Sequence, residues 1–499
     1  MLIEALAKHA FERPTDIALQ GSDGNKESAT NYQQLHEVVS HLQQQFYLEK
    51  HSGALALALD NHPAWVIIDL AAMACELPLV PLPLFFSDLQ ILHAVTDAGA
   101  TSLVTDNSQR FAAILGDLIT AQIKFTIANK SLTQFSLAVK AKLLPDNTAK
   151  ITYTSGTTGQ PKGVCLSNTA MLKVANSIKI ATNLSRPDHH LCVLPLSTLL
   201  ENVAGVYVAL LAGATVHLLP GEKVGLNGSN LDVKKLHDAF SQTKASTAIF
   251  IPQLLSALVC AREAGAATLP HLRFLAVGGA HVSPQLLQRA HSMKIPVFEG
   301  YGLSESASVV ALNTPQANKI GSVGKPLAHV NISFSAENEI LVKGANLLGY
   351  TNANIPEEVS DIIQTGDVGY LDKDGFLFIN GRKKNIFITS FGRNVSPEWV
   401  ERELTNSKHI QQACLFGEAK PWNTALIVAR QGATLLQIED DIQSINHALP
   451  DYARITQWLL ADAPFCTKNL QLTANGRLKR DVIWQTYQEK INVLYEGNA

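Results

Sequence analysis

Residues 151–168, ITYTSGTTGQPKGVCLSN, force the chain into a strand, a loop and a second strand. Thr152, Thr154, Ser155, Thr157 and Thr158 supply hydroxyl groups, while Gly156, Gly159 and Gly163 let backbone N–H groups approach an oxyanion. Lys162 adds a positive charge. A Walker loop requires Gly-Lys-Ser/Thr, whereas Lys162 lies between Pro161 and Gly163, which excludes that arrangement. Taken alone, these residues read either as a phosphate loop or as a polar hairpin turn.

At 499 residues the chain is too long for one core and implies roughly two to four domains or subdomains. Its hydrophobic fraction is 46% and its charged fraction 17%, which describes a globular protein with ample core. The net charge of -3 carries no basic excess for a nucleic-acid partner. The six cysteines, Cys75, Cys165, Cys192, Cys260, Cys414 and Cys466, form no CxxC pair, so reduced thiols and a cytoplasmic location are expected. Residues 1–14 read as an amphipathic helix and not a signal peptide. Residues 203–216 are apolar but too short to span a bilayer, and they follow Glu201 and Asn202. A buried helix is the expectation, with peripheral membrane contact left open.

Helical and strand-like patterns alternate through the first 106 residues: helices at 2–11, 32–45, 65–75 and 88–98, strands at 54–59, 79–84 and 102–105. This βαβ punctuation predicts parallel sheets flanked by helices. Residues 107–148 read as irregular. After the loop the same rhythm resumes, with a long apolar helix expected over 199–211 and a strand FLAVGGA ending on Gly278, Gly279 and Ala280.

Further motifs follow in order. EGYGLSESA occupies residues 299–307, and QTGDVGYLDKDGFLFINGRKKN contains the hairpin signal Asp374-Gly375 between alternating apolar residues. Ser396-Pro397 is a helix start, and LTANGRLKRD begins at Leu472. As an ordered set, these stretches resemble the adenylate-forming superfamily, which includes acyl-CoA synthetases, aryl-CoA ligases, peptide-synthetase adenylation domains and beetle luciferases. The resemblance covers essentially the whole chain. It implies an α/β fold with a large N-terminal domain of helix-flanked sheets and a small β-barrel subdomain over 1–383. A small mobile α+β domain would follow over 384–499.

The resemblance also implies site roles. Thr154, Ser155, Gly156, Thr157, Thr158, Gly159 and Lys162 would contact the phosphates of ATP. Gly278, Gly279 and Ala280 would line the adenine pocket, with Tyr301 and Gly302 beside the base. Ser304 would contact the α-phosphate, Glu305 would hold Mg²⁺, and Asp367 and Arg382 would bind the ribose. Lys384 matches the hinge position and Gly392 the loop facing a pantetheine thiol. Thr198 and Leu200 fall in the acyl pocket.

Two positions depart from the family pattern. The final motif has Arg477 where lysine is usual, with Lys479 two residues on, and Thr198 stands where a gating histidine is common. Leu200 replaces the aspartate that anchors an ammonium in amino-acid-activating domains, so an amino acid would leave its charge unpaired. The implied chemistry is ATP-dependent activation of a fatty or other apolar carboxylic acid to acyl-AMP, then transfer to CoA or to the phosphopantetheine of an acyl carrier protein. An adenylate-only or luciferase-like enzyme and a catalytically silent binding protein are the alternatives.

Overall fold

The computed structural model describes residues 1–499 apart from 24–25, 50–52, 155–160, 228–229, 281, 352–360, 392, 474–475 and 497–499. Two large sheets dominate the first two thirds of the chain. One has eight strands, with Ala54–Ala58 paired in parallel to Leu79–Pro81 on one side and to Ala100–Thr105 on the other. The other has nine, and its centre is the parallel series Thr215–Leu218, His189–Cys192, Thr247–Phe250, Phe274–Val277 and Val297–Leu303.

The strand Ala54–Ala58 shows why the sheets are sandwiched. Leu55 and Leu57 point into a core shared with the helix Pro63–Ala74 and with strand residues of the nine-stranded sheet. Ala54, Ala56 and Ala58 point to the opposite face, against helix Asp88–Asp97. The period-two alternation therefore buries both faces. The expected helices and parallel strands form, with ends shifted by a few residues.

Two segments differ from expectation. Residues expected to be irregular contain a helix, Ser108–Leu115, and an antiparallel hairpin, Ile119–Ile127 with Lys130–Leu137. Its two-residue turn uses positive φ at both Ala128 (48°) and Asn129 (66°). That geometry normally selects Asn-Gly, so alanine there hides the turn. The apolar helix expected over 199–211 is divided: a π-helical turn, Asn202–Tyr207, separates Leu199–Glu201 from Val208–Ala212.

That π turn is held on two sides by buried polar groups. Lys150 Nζ lies 2.8 Å from Asp69 Oδ1, and both residues are 1–2% exposed. Asn202 donates to Asp69 at 3.0 Å, Tyr207 donates to it at 2.8 Å, and Lys150 also reaches Tyr207 at 2.9 Å. On the other side, Glu201 accepts from His190 Nε2 at 2.8 Å and from the backbone N–H groups of Val193 and Leu194. Such turns occur where a helix is required to change its register near a site.

The small subdomain takes the form of a four-stranded antiparallel sheet, Asn331–Phe334, Glu339–Lys343, Ile362–Leu371 and Leu377–Arg382. Its inner residues Ile340, Val342 and Leu377 pack against Val310 and Ala311 of the nine-stranded sheet. From Lys384 onward the chain is α+β: strands Ile410–Phe416, Asn423–Ala429 and Ile455–Leu460 with helices Pro397–Thr405, Leu435–Ala448 and Arg480–Glu496. The last of these helices, Arg480–Glu496, carries charges of both signs. Among the described residues, no helix is long and apolar enough to cross a membrane.

Candidate active site

The phosphate-type loop joins two antiparallel strands, Thr148–Thr154 and Lys162–Ser167, in which Thr154 pairs with Lys162. Ser155, Gly156, Thr157, Thr158 and Gly159 lie outside the described residues. The Lys162 side chain is exposed at the end of its strand. Two neighbouring residues have structural roles that differ from the expected ones. Thr152 is buried within its strand. Gly163 is needed for packing, because a Cβ there would lie 2.6 Å from Thr351 Oγ1 and 3.0 Å from the Tyr153 ring. Thr351 and Tyr153 both donate to the Asp97 carboxylate, which ties the strand pair to helix Asp88–Asp97.

The two parallel strands Phe274–Val277 and Val297–Leu303 deliver the next groups. A Cβ on Gly278 would meet the Gly300 carbonyl at 3.0 Å, and Gly279 has φ +80°. A side chain at Gly278 would press on its neighbour, and the φ of Gly279 is one that favours glycine. Gly302 is demanded more strongly still, since a Cβ there would fall 1.7 Å from the Ser308 carbonyl at an irregular pairing. The partly buried Ala280 follows Gly279.

Tyr301 reaches across to the small sheet. Its hydroxyl donates to Asp367 Oδ2 at 2.6 Å, and Arg382 Nε lies 2.8 Å from Asp367 Oδ1. Burial, and secondarily the Asp367 charge, push the phenol well above its ordinary range, so it stays a neutral donor. The family resemblance implies Tyr301 beside a base and Asp367 on a ribose, and the structure adds a direct bond between the two residues.

Ser304 opens a single 3₁₀ turn, Ser304–Ser306, that carries Glu305. The Glu305 carbonyl accepts from Leu347 N at 2.7 Å, which fixes the turn, and its Oε1 accepts from the Tyr350 phenol at 3.2 Å. Glu305, Tyr350, Thr365 and Arg382 line one cleft of about 290 Å³. A half-exposed carboxylate with one oxygen only lightly engaged suits a hard divalent cation, so Glu305 fits the expected Mg²⁺ ligand.

Thr473, Gly476 and Arg477 of the last motif are bonded to one another and adjoin this region. Thr473 N donates to the Arg477 carbonyl at 2.8 Å, Gly476 N to the Thr473 carbonyl at 2.9 Å and Arg477 N to Thr473 Oγ1 at 3.0 Å. Arg477 Nε then donates to the Gly279 carbonyl at 3.1 Å. Its guanidinium shares its electrostatic surroundings with Arg382, Asp367, Tyr301 and Glu305. Lys384, in the 3₁₀ turn Lys383–Asn385, is lowered from the usual lysine range by partial burial and by Arg382. Gly392 lies outside the described residues.

Leu200 Cδ2 lies 3.9 Å from where a Gly279 Cβ would be, so the expected acyl-pocket residue does adjoin the nucleotide segment. The Thr198 hydroxyl is occupied locally, donating to the Pro195 carbonyl at 2.8 Å and accepting from Glu201 N at 3.5 Å as a helix cap. His190, Cys192 and Glu201 present metal-type atoms within 4.8 Å of one another. Both Glu201 oxygens are already taken by His190 and the backbone, so the cluster reads as a core support.

Sequence reasoning missed the Lys150–Asp69 pair, the Glu201 clamp and the buried Glu299, which is 3% exposed. The available signal was a charge inside an apolar run: Lys150 in a strand, and Glu201 beside a hydrophobic helix.

Comparison with known proteins bears on this geometry. The family described as AMP-binding enzyme matches residues 6–347, and the AMP-binding enzyme C-terminal domain matches residues 384–499. A 2-succinylbenzoate–CoA ligase of Listeria monocytogenes is 25% identical, with 80% of this chain and 86% of that protein aligned. A long-chain-fatty-acid–CoA ligase, FadD15 of Mycobacterium bovis, is also 25% identical, with 86% of each chain aligned. Among solved structures, o-succinylbenzoate CoA synthetase (MenE) from Bacillus subtilis, in complex with the acyl-adenylate OSB-AMP, superposes with a TM-score of 0.78. That match has 22% identity and covers 96% of this chain and 97% of that one.

Proposed function

The chain belongs to the AMP-binding enzyme family, and from that premise we propose that it is an acid–thiol ligase acting through an acyl-AMP. A substrate carboxylate oxygen attacks the α-phosphorus of ATP, the bond to the β-phosphate oxygen breaks, and pyrophosphate leaves. The thiol sulfur of CoA, or of a carrier-protein pantetheine, then attacks the acyl carbon and AMP leaves. Neither step needs a nucleophilic side chain, so positioning and charge neutralisation carry the catalysis.

The observation that carries this reading is the contact of Arg477 with Gly279 beside Tyr301, Asp367 and Glu305. A cation from the C-terminal segment beside these groups supports a role at the α-phosphate and substrate carboxylate. Lys162 would neutralise the outer phosphates, while Asp367 and Arg382 would orient the ribose and Ser304 the α-phosphate. Glu305 would hold Mg²⁺, which when bound neutralises charge on the triphosphate. We assign 1–383 to the nucleotide and acid domain and 384–499 to a domain that turns about Lys384, with Gly392 facing the thiol afterwards.

An apolar acid is favoured because Leu200 and Ile251 both approach Gly279 and neither can pair with a substrate charge. The named relatives are a 2-succinylbenzoate–CoA ligase and a long-chain-fatty-acid–CoA ligase, which supports CoA as the thiol. All six cysteines are unpaired, in keeping with a reducing cytoplasm. Acid-dependent AMP release that requires CoA tests the proposal. AMP release without thioester would instead support an adenylate-only enzyme.

A further inference from the structure

We infer that Gln253 is a positioning residue that seats the closing turn so that Arg477 reaches the reacting groups. The inference rests on the acyl-adenylate reading above. Gln253 is the second residue of helix Pro252–Glu263, just beyond the strand Thr247–Phe250, whose neighbour runs into Gly278 and Gly279. Its side chain is exposed.

Gly476 rests directly on that side chain. A Cβ built on Gly476 would lie 2.3 Å from Gln253 Nε2, 3.1 Å from Cδ and 3.3 Å from Oε1. The three nearest atoms thus all belong to one carboxamide. Gly476 also has φ +76°, so two independent constraints reserve this position for glycine.

Contact at Gly476 is transmitted to Arg477 because the turn is internally bonded. Thr473 receives Arg477 N on its hydroxyl and donates its own N–H to the Arg477 carbonyl, and Leu472 bridges Leu478. A unit of this kind moves as one body, so its seat sets the direction of the Arg477 side chain. Arg477 Nε bonds the Gly279 carbonyl, and the Gly279 Cβ position lies 3.7 Å from Ile251 Cγ2 and 3.9 Å from Leu200 Cδ2. The seat and the acyl wall are therefore adjoining parts of one surface, two residues apart at Ile251 and Gln253. A guanidinium is longer and more directional than the ammonium usual at position 477, which makes a fixed seat more important.

The test uses the full chain. Gln253→Ala should slow single-turnover acyl-AMP formation by about 10- to 100-fold, the scale of a small misplacement of a reacting group. CoA thiolysis of pre-formed acyl-AMP and the affinity for ATP should stay unchanged. Gln253→Ala placed on Arg477→Ala should cause no further loss, because both act through one contact. Equal slowing of the two half-reactions, or losses that multiply, would overturn the inference. A Gln253→Cys variant in a Cys260→Ser background, treated with a thiol reagent, reads docking without any acid substrate. Slower labelling of the introduced thiol in the presence of ATP supports the seat, and unchanged labelling while ATP still binds contradicts it. Protection in an enzyme that adenylates no acid would leave the seat standing and overturn the reaction assignment instead.

Discussion

Arg382 and Asp367 face each other across an antiparallel strand pair, with Arg382 Nε 2.8 Å from Asp367 Oδ1, while the Tyr301 hydroxyl holds the other carboxylate oxygen at 2.6 Å. The bidentate restraint fixes the carboxylate before any nucleotide arrives, so little ordering is left to do on binding. It also joins the nine-stranded sheet to the small sheet through side chains alone. Asp367→Asn should weaken ATP binding on the order of tenfold or more, the scale of a lost charge-assisted hydrogen bond. Equilibrium binding of ATP measures this, and an unchanged Kd would remove Asp367 from the nucleotide site.

Glu305 is held by its own backbone through Leu347 and by Tyr350 through its side chain. Glu305→Gln keeps the shape and the Tyr350 bond but removes the charge. Acid-dependent adenylation should fall below detection at low magnesium, with the melting temperature nearly unchanged. Wild-type rates at low magnesium would show that another group holds the cation.

Arg477 bonds the Gly279 carbonyl, whereas Lys479 N–H pairs with the Gln471 carbonyl two residues further along the turn. Arg477→Ala should slow acyl-AMP formation by about 10²-fold, as loss of a charge-stabilising donor does elsewhere. Thiolysis of pre-formed acyl-AMP should be spared, and Lys479→Ala should have much the smaller effect. Single-turnover rates in the opposite order would transfer the role to Lys479.

The motifs that carry this site were legible because each is a local run: glycines at strand ends, a hairpin signal at Asp374-Gly375, a helix start at Ser396-Pro397. Tyr301, Asp367 and Arg477 could be named from the family resemblance that such runs carry, but their mutual contacts could not, since 66 residues separate Tyr301 from Asp367 and 198 separate Gly279 from Arg477. The hairpin around Ala128 was hidden because its turn residues are not those the geometry usually selects. The π turn at Asn202–Tyr207 was hidden for another reason: its causes, Asp69 and Lys150, lie elsewhere in the chain. An apolar run by itself reads as a continuous helix.

Glu299 gives a pH dependence with a definite sign. Its side chain is 3% exposed, Oε1 accepts only from Val282 N at 3.3 Å, and Oε2 has no partner among the described residues. Burial raises the carboxyl from 4.5 to about 8, with the Val282 N–H and the Arg402 charge opposing. Between those values the folded chain keeps a proton that the unfolded chain releases, so stability is full below about 4.5 and declines as pH rises toward 8. Glu299→Gln removes that decline. It should raise the melting temperature relative to wild type at pH 8 and leave it nearly level at pH 5. Equal shifts at both pH values would contradict the assignment.

ATP–pyrophosphate exchange over a panel of carboxylic acids of graded length, aromaticity and charge reads acid activation at this site. Magnesium-dependent exchange that requires an acid, is strongest for apolar acids, is absent for α-amino acids and collapses in Arg477→Ala is the expected result. Exchange by no acid in the panel, from folded protein that binds ATP, would overturn the acyl-adenylate assignment.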